Sequence, residues 1–303
     1  MKGIELSRAF YEDYCKEMIS KNFHEYENRI AVGIAGRGSE CFGFDDEIST
    51  DHDFKTGVCL WLKREDFTKI GNSLQKAYNE LPCKGESIVN PNVKDKFGVH
   101  TIDEFFVDTI GTGSIPKTYK QWFDIPEYAL AESVNGEIFR DDSGEMLLKR
   151  LKLIAGPGID IKRKKIAAYL ALSGQAGQYN YYRALKRKDQ GAMKLVAYEF
   201  VINTIHLIFW LNNRYCPYYK WMFRALSELP KLNYLEKDLL DVLDGNDDKR
   251  RLIEEISWEI VLELKKQNLT NSNSVYLEDH AYAVTEGIKD EEIKSMHVMI
   301  SAE

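Results

Sequence analysis

The chain lacks most of what marks a secreted, membrane-bound or nucleic-acid-coating protein. Its five cysteines, at positions 15, 41, 59, 83 and 216, form no C-x-x-C pair and make an odd number. That pattern speaks for reduced thiols in a cytoplasmic protein and against a disulfide scaffold. The opening residues, MKGIELSRAFYEDY, carry acids where a signal peptide needs an apolar core. The most apolar stretch, residues 195–211, is short for a membrane span and is interrupted by Glu199, Asn203 and His206, so no membrane partner is expected. Positive charge is in deficit, with 41 Lys and Arg against 48 Asp and Glu and a net charge of −7. General nucleic-acid binding needs a positive face and is not expected. A nucleotide carried in on a metal is still compatible with that charge. Repeats and low-complexity segments are absent. What remains is ordinary for a globular protein, 44% hydrophobic and 29% charged, and 303 residues suffice for two domains.

One stretch organises the rest: GRGSECFGFDDEISTDHDF, residues 36–54. It begins where the apolar run Ile30 to Ala35 stops and ends where the extended run Phe54 to Leu62 starts. At Gly38-Ser39 the missing side chain lets backbone N–H groups come close to a phosphate. Asp51-His52-Asp53 opens the second run, where alternation puts both aspartates on one side and His52 on the other. Two such carboxylates repel unless a cation lies between them, and hard oxygens suit Mg²⁺ or Mn²⁺.

Gly38-Ser39, eleven intervening residues and Asp-x-Asp at a strand start together resemble the nucleotidyltransferase superfamily, which includes DNA polymerase β and the aminoglycoside and lincosamide nucleotidyltransferases. The fuller string GSECFGFDDEISTDHDF, followed by VCLWL, is similar to a bacterial branch of that superfamily. The resemblance implies an α+β protein, with a small mixed sheet and helices at the N-terminus and an all-helical domain behind it. It implies transfer of a nucleoside monophosphate from a metal-bound nucleoside triphosphate to a hydroxyl acceptor. It assigns metal binding to Asp51 and Asp53, and contact with the β/γ end of the triphosphate to Gly38 and Ser39. A solvated acidic loop before a strand is the plainer reading of the same residues.

Along the chain, helices are expected over 7–23, 64–81, 103–110 and 117–134, and strands over 30–35, 54–62, 97–102 and 136–140. Beyond Glu145 only helical patterns recur, near 160–187, 189–213, 217–229, 233–244, 247–267 and 274–288. The composition shift divides the chain into a nucleotidyltransferase-like domain (1–148), a helical domain (149–289) and a loosely held tail (290–303). The run Lys162-Arg163-Lys164-Lys165 reads as a solvated helix face.

The resemblance calls for a third carboxylate on a strand beside the Asp-x-Asp strand. His100 stands there instead, which favours Mn²⁺ or Zn²⁺ over Mg²⁺ if it binds metal, or a packed sheet-face histidine if it does not. In the helical part, Glu199, Asn203 and His206 fall at i, i+4 and i+7. Such a stripe either faces a cleft, with Glu199 as general base, or forms a hydrogen-bond network between helices. Asn180, Arg183 and Arg187 share another face, and Lys220 sits among Tyr218, Tyr219 and Trp221. Aromatic faces can stack a base, and Arg183, Arg187 and Lys220 can hold phosphates. The expectation is a metal-dependent nucleotidyltransferase acting on an unnamed small or macromolecular acceptor. Its rival is a nucleotide-binding or protein-interaction module on the same fold, without catalysis.

Overall fold

The computed structural model describes residues 2–47, 56–82, 96–244 and 248–300. The chain forms two compact units, Met1–Pro116 with Ala129–Ala155, and Lys117–Tyr128 with Gly156–Glu303. The architecture is α+β, with one four-stranded mixed sheet in the first unit and helices in both.

The sheet is built from β1 (Ala31–Ile34), β2 (Cys59–Leu62), β3 (Gly98–Thr101) and β4 (Glu137–Arg140), in the order β3-β2-β1-β4. β1 and β2 are buried at every residue, which explains their unbroken apolar sequences AVGI and CLWL. β1 is antiparallel to both neighbours, with Gly33 opposite Cys59 and Ile34 opposite Glu137. β2 and β3 are parallel, with Cys59 opposite Gly98 and Trp61 opposite His100. A parallel pair needs a crossover, which here contains the Arg64–Asn79 helix. That helix buries Ile70, Leu74 and Tyr78 one turn apart. It also ties the strands down: the Tyr78 hydroxyl accepts from the Val58 N–H at 3.1 Å, and Gln75 Oε1 accepts from the Val99 N–H at 2.7 Å. Thr101 caps the Ile102–Ile110 helix and Glu104 completes a capping box, so the acids after β3 serve the helix start.

The first helix, Gly3–Phe10, runs through a π-helical turn at Tyr11–Cys15 into Lys16–Asn22. The single helix expected over 117–134 is instead two, Tyr119–Asp124 and Glu127–Val134, because Pro126 cannot donate in a helix interior.

The helical unit is organised on Ile159–Ser173, which is buried from Lys164 to Ala171. It packs against Gln190–Leu211 and Leu277–Glu286. It continues through a π-helical stretch, Gly174–Tyr181, into Tyr182–Arg187. Gly177 fits here because a Cβ would run into the Phe200 ring. The expectation that residues 162–165 form a solvated face is corrected: Lys164 and Lys165 are buried. Lys164 Nζ donates to the carbonyls of Met296 (3.1 Å), His297 (2.6 Å) and Val298 (3.4 Å). The residues after Asp290 form a capped turn of helix, Glu291–Ser295. By length and composition Gln190–Leu211 could cross a membrane, yet most of it is core of this unit.

Candidate functional site

The strand directions gather three chain segments at one end of the sheet. The chain leaves β1 there, and because β2 is antiparallel to β1 it enters β2 at the same end. β3 runs parallel to β2 and is entered there too. β1 exits into Gly36-Arg37-Gly38-Ser39, with φ of 97° at Gly36 and 111° at Gly38, values that favour glycine. Asn135, just ahead of β4, clamps Gly36 on both sides: its Oδ1 accepts from the Gly36 N–H and its Nδ2 donates to the Gly36 carbonyl, both at 2.8 Å. The backbone N–H groups of Gly38, Ser39 and Glu40 meet no acceptor among the described residues.

Lys96, at the entry to β3, reaches across this turn. Its Nζ donates to the Arg37 carbonyl (2.5 Å), to Glu40 Oε1 (2.6 Å) and to Cys41 Sγ (2.9 Å). Burial pushes the Cys41 thiol up to about 11, so at neutral pH it is an uncharged partner. Burial works against the Lys96 charge, but its neighbours at the turn, with Glu40 as the charged one, outweigh it and raise the ammonium above its usual range. Behind the turn, buried Arg150 donates Nη2 to the carbonyls of Val134 (2.9 Å) and Asn135 (2.5 Å). Its Nη1 has no partner among the described residues, and burial pulls its pKa down to about 10. Neither Lys96 nor Arg150 stood out in the sequence, since one lies in a polar loop and the other in an ordinary amphipathic helix.

Of the residues the sequence singled out, Gly38 and Ser39 form this turn. Asp51 and Asp53 lie outside the described residues. His100 is on β3 beside β2, with Nε2 3.1 Å from the Lys96 carbonyl. A carbonyl only accepts, so Nε2 carries a proton and donates it. Cys59 Sγ donates to the same carbonyl at 3.2 Å, and together the two side chains fix the start of β3 from which Lys96 projects. Among the described residues no three His, Cys, Asp or Glu side chains are grouped to hold a metal.

In the helical unit the polar stripe of Gln190–Leu211 separates into two parts. Asn203 Nδ2 turns back to the Glu199 carbonyl (2.7 Å) and its Oε2 (3.3 Å), and Glu199 itself is exposed. His206 engages Glu127, a residue the sequence gave no reason to notice, since acids commonly begin helices. Glu127 is buried and accepts from three donors: Tyr169 Oη (2.6 Å) and Trp210 Nε1 (2.7 Å) on Oε1, and His206 Nδ1 (2.9 Å) on Oε2. The Tyr169 and His206 rings stack, 5.0 Å apart and 10° from parallel. Burial alone would raise the Glu127 pKa. The charge and hydrogen bond of His206, with Lys165 and Trp210, outweigh it and hold the carboxyl below its ordinary value. An ionised carboxylate only accepts, so His206 Nδ1 donates and the ring is held in one orientation. Arg183 is exposed and lies over the Tyr179 ring with Nη1 2.8 Å from its hydroxyl. Arg187 is exposed, and Lys220 lies 5.1 Å from the Trp221 ring centroid in a 3₁₀ turn, Tyr219–Trp221.

Residues 122–222 match the family model described as Domain of unknown function (DUF4037). The match spans about a third of the chain, takes in the whole Glu127 centre, and begins after the Gly38 turn, Asp51, Asp53 and Lys96. No curated protein and no solved structure matches the chain.

Proposed function

We propose that the protein is a nucleotidyltransferase that binds the phosphates of a nucleoside triphosphate on the Gly36–Ser39 turn. One observation carries the reading: the exit of β1 and the entries to β2 and β3 share one end of the sheet, and the segment leading into β2 carries Asp51 and Asp53 in sequence. Backbone N–H groups without acceptors, a lysine and a buried arginine are a donor set suited to phosphate oxygens. Asp51 and Asp53 would hold Mg²⁺ or Mn²⁺, two carboxylates being hard ligands for either ion, and His100 would stand third in place of a strand carboxylate. The metal would neutralise charge on the phosphates during in-line attack by an acceptor hydroxyl.

Calorimetry with Mg²⁺ or Mn²⁺ and each common nucleoside triphosphate tests the reading. Wild type should bind at least one of them, and Asp51→Asn and Asp53→Asn should lose metal-dependent affinity while melting normally. Equal affinity in all three proteins refutes the metal role. A second reading, binding without transfer, draws on the histidine in place of a strand carboxylate. Release of pyrophosphate in the presence of a candidate acceptor separates the two.

A further inference from the structure

The Gly36–Ser39 turn is not an empty cradle. Glu40 folds back so that its carboxylate lies against Gly38, and a Cβ on Gly38 would collide with both of its oxygens. The same carboxylate takes a hydrogen bond from Lys96 Nζ. An anion belonging to the chain therefore sits over the glycine and on the lysine, the two features that suit the turn to a phosphate. Resting on the reading above, we propose that Lys96 is a phosphate ligand and that Glu40 is its resident competitor, which leaves when a terminal phosphate takes its place.

Three features make the exchange feasible. The Glu40 and Lys96 side chains are both 23% exposed, so the carboxylate can swing to solvent without crossing packed core. When it leaves, Lys96 keeps the Arg37 carbonyl and the Cys41 sulfur as acceptors, which hold the ammonium in position with one N–H to spare. The cations at the turn also favour a stronger anion than Glu40. Exposed Arg37 has no side-chain partner among the described residues, and Arg150 keeps an unpartnered Nη1. A single carboxylate balances only one of these three positive charges, whereas a terminal phosphate carries close to two negative charges at neutral pH. The ligand class that follows is a polyphosphate with a dianionic end, whatever base it carries. The exchange breaks one ion pair and forms another, with no covalent step.

A double-mutant cycle on Glu40 and Lys96 tests this, with inorganic tripolyphosphate and the magnesium complexes of ATP, GTP, CTP and UTP as titrants. Glu40→Gln, which keeps size and removes charge, should bind tripolyphosphate about tenfold or more tighter than wild type, the scale of one charged hydrogen bond. Lys96→Met should bind it at least about tenfold more weakly by the same measure. In the Lys96→Met background, Glu40→Gln should lose most of its gain, because the competition is for the lysine. Melting temperatures of all four proteins report whether each variant folds. If wild type binds a triphosphate but the cycle shows no coupling, or if Glu40→Gln weakens binding, the competitor role is wrong and the nucleotide site stands. If no protein, Glu40→Gln included, binds any of the five titrants, the nucleotide reading and the competitor fall together.

Discussion

Two carboxylates in this molecule each meet a basic side chain, and they do opposite things. Glu127 in the helical unit is 3% exposed and is met by a tyrosine, a tryptophan and a histidine. Glu40 in the sheet unit is 23% exposed and is held by one lysine that has other acceptors. Burial makes the first a structural anchor, because the carboxylate itself and its tyrosine and tryptophan donors are cut off from water. Partial exposure makes the second exchangeable, because water can receive the carboxylate. A charged pair is thus informative about function only once its surroundings are known: the tighter pair supports the fold and orients a histidine, and the looser one is where the proposed exchange with a phosphate would take place.

The largest test of that contrast is truncation. Glu127→Ala should lower stability by about 3–5 kcal/mol in chemical denaturation, since it strands the Tyr169 hydroxyl and the Trp210 indole N–H in the core and takes the carboxylate from His206. Glu40→Ala should change it by less than about 1 kcal/mol. Comparable losses at the two sites would remove the distinction. Acid offers a second handle. The folded pKa of Glu127 is depressed, so its contribution is present above the unfolded carboxylate value and is lost as pH falls through the folded one. Below about pH 4.5, near the ordinary glutamate range, wild type should lose stability more steeply than Glu127→Gln in paired urea titrations. A parallel decline would mean that other groups dominate the acid limb.

Lys164 sharpens the comparison from the basic side, as a lysine held by carbonyls with no carboxylate. Burial pulls its pKa down to about 8, while the three carbonyls of 296–298 favour the charged form. Lys164→Met should free that segment, costing about 1–3 kcal/mol locally and speeding amide exchange over 291–300 while the sheet's protection is unchanged. Unchanged exchange there would show that the lysine does not hold the segment. The smallest effect is expected at Lys220, an exposed cation over an indole. Lys220→Ala should move stability by no more than about 0.5 kcal/mol, which makes it a clean reporter of any change in triphosphate affinity.

Much of the scaffold was legible from the chain. The fully apolar runs at 31–34 and 59–62, the glycines before Ser39 and the helical periodicities beyond Glu145 each follow from local chemistry, and the structure has strands, a left-handed turn and helices there. Pro126 gave notice of a break that the apolar pattern around it obscured. The candidate site was legible only where its residues are neighbours in sequence, at Gly36–Ser39. The partners were hidden. Lys96 meets Glu40 across 56 positions, and Glu127 meets Tyr169, His206 and Trp210 across 42, 79 and 83. A stripe such as Glu199, Asn203 and His206 fixes which groups share a helix face. It leaves open which of them will find a carboxylate on another element and which will turn back on its own backbone. Backbone preference is local, so sequence determined where strands, turns and helices fall. Desolvation and hydrogen-bond pairing depend on what the folded chain brings near, so only the tertiary structure decided that one glutamate is locked and the other can leave.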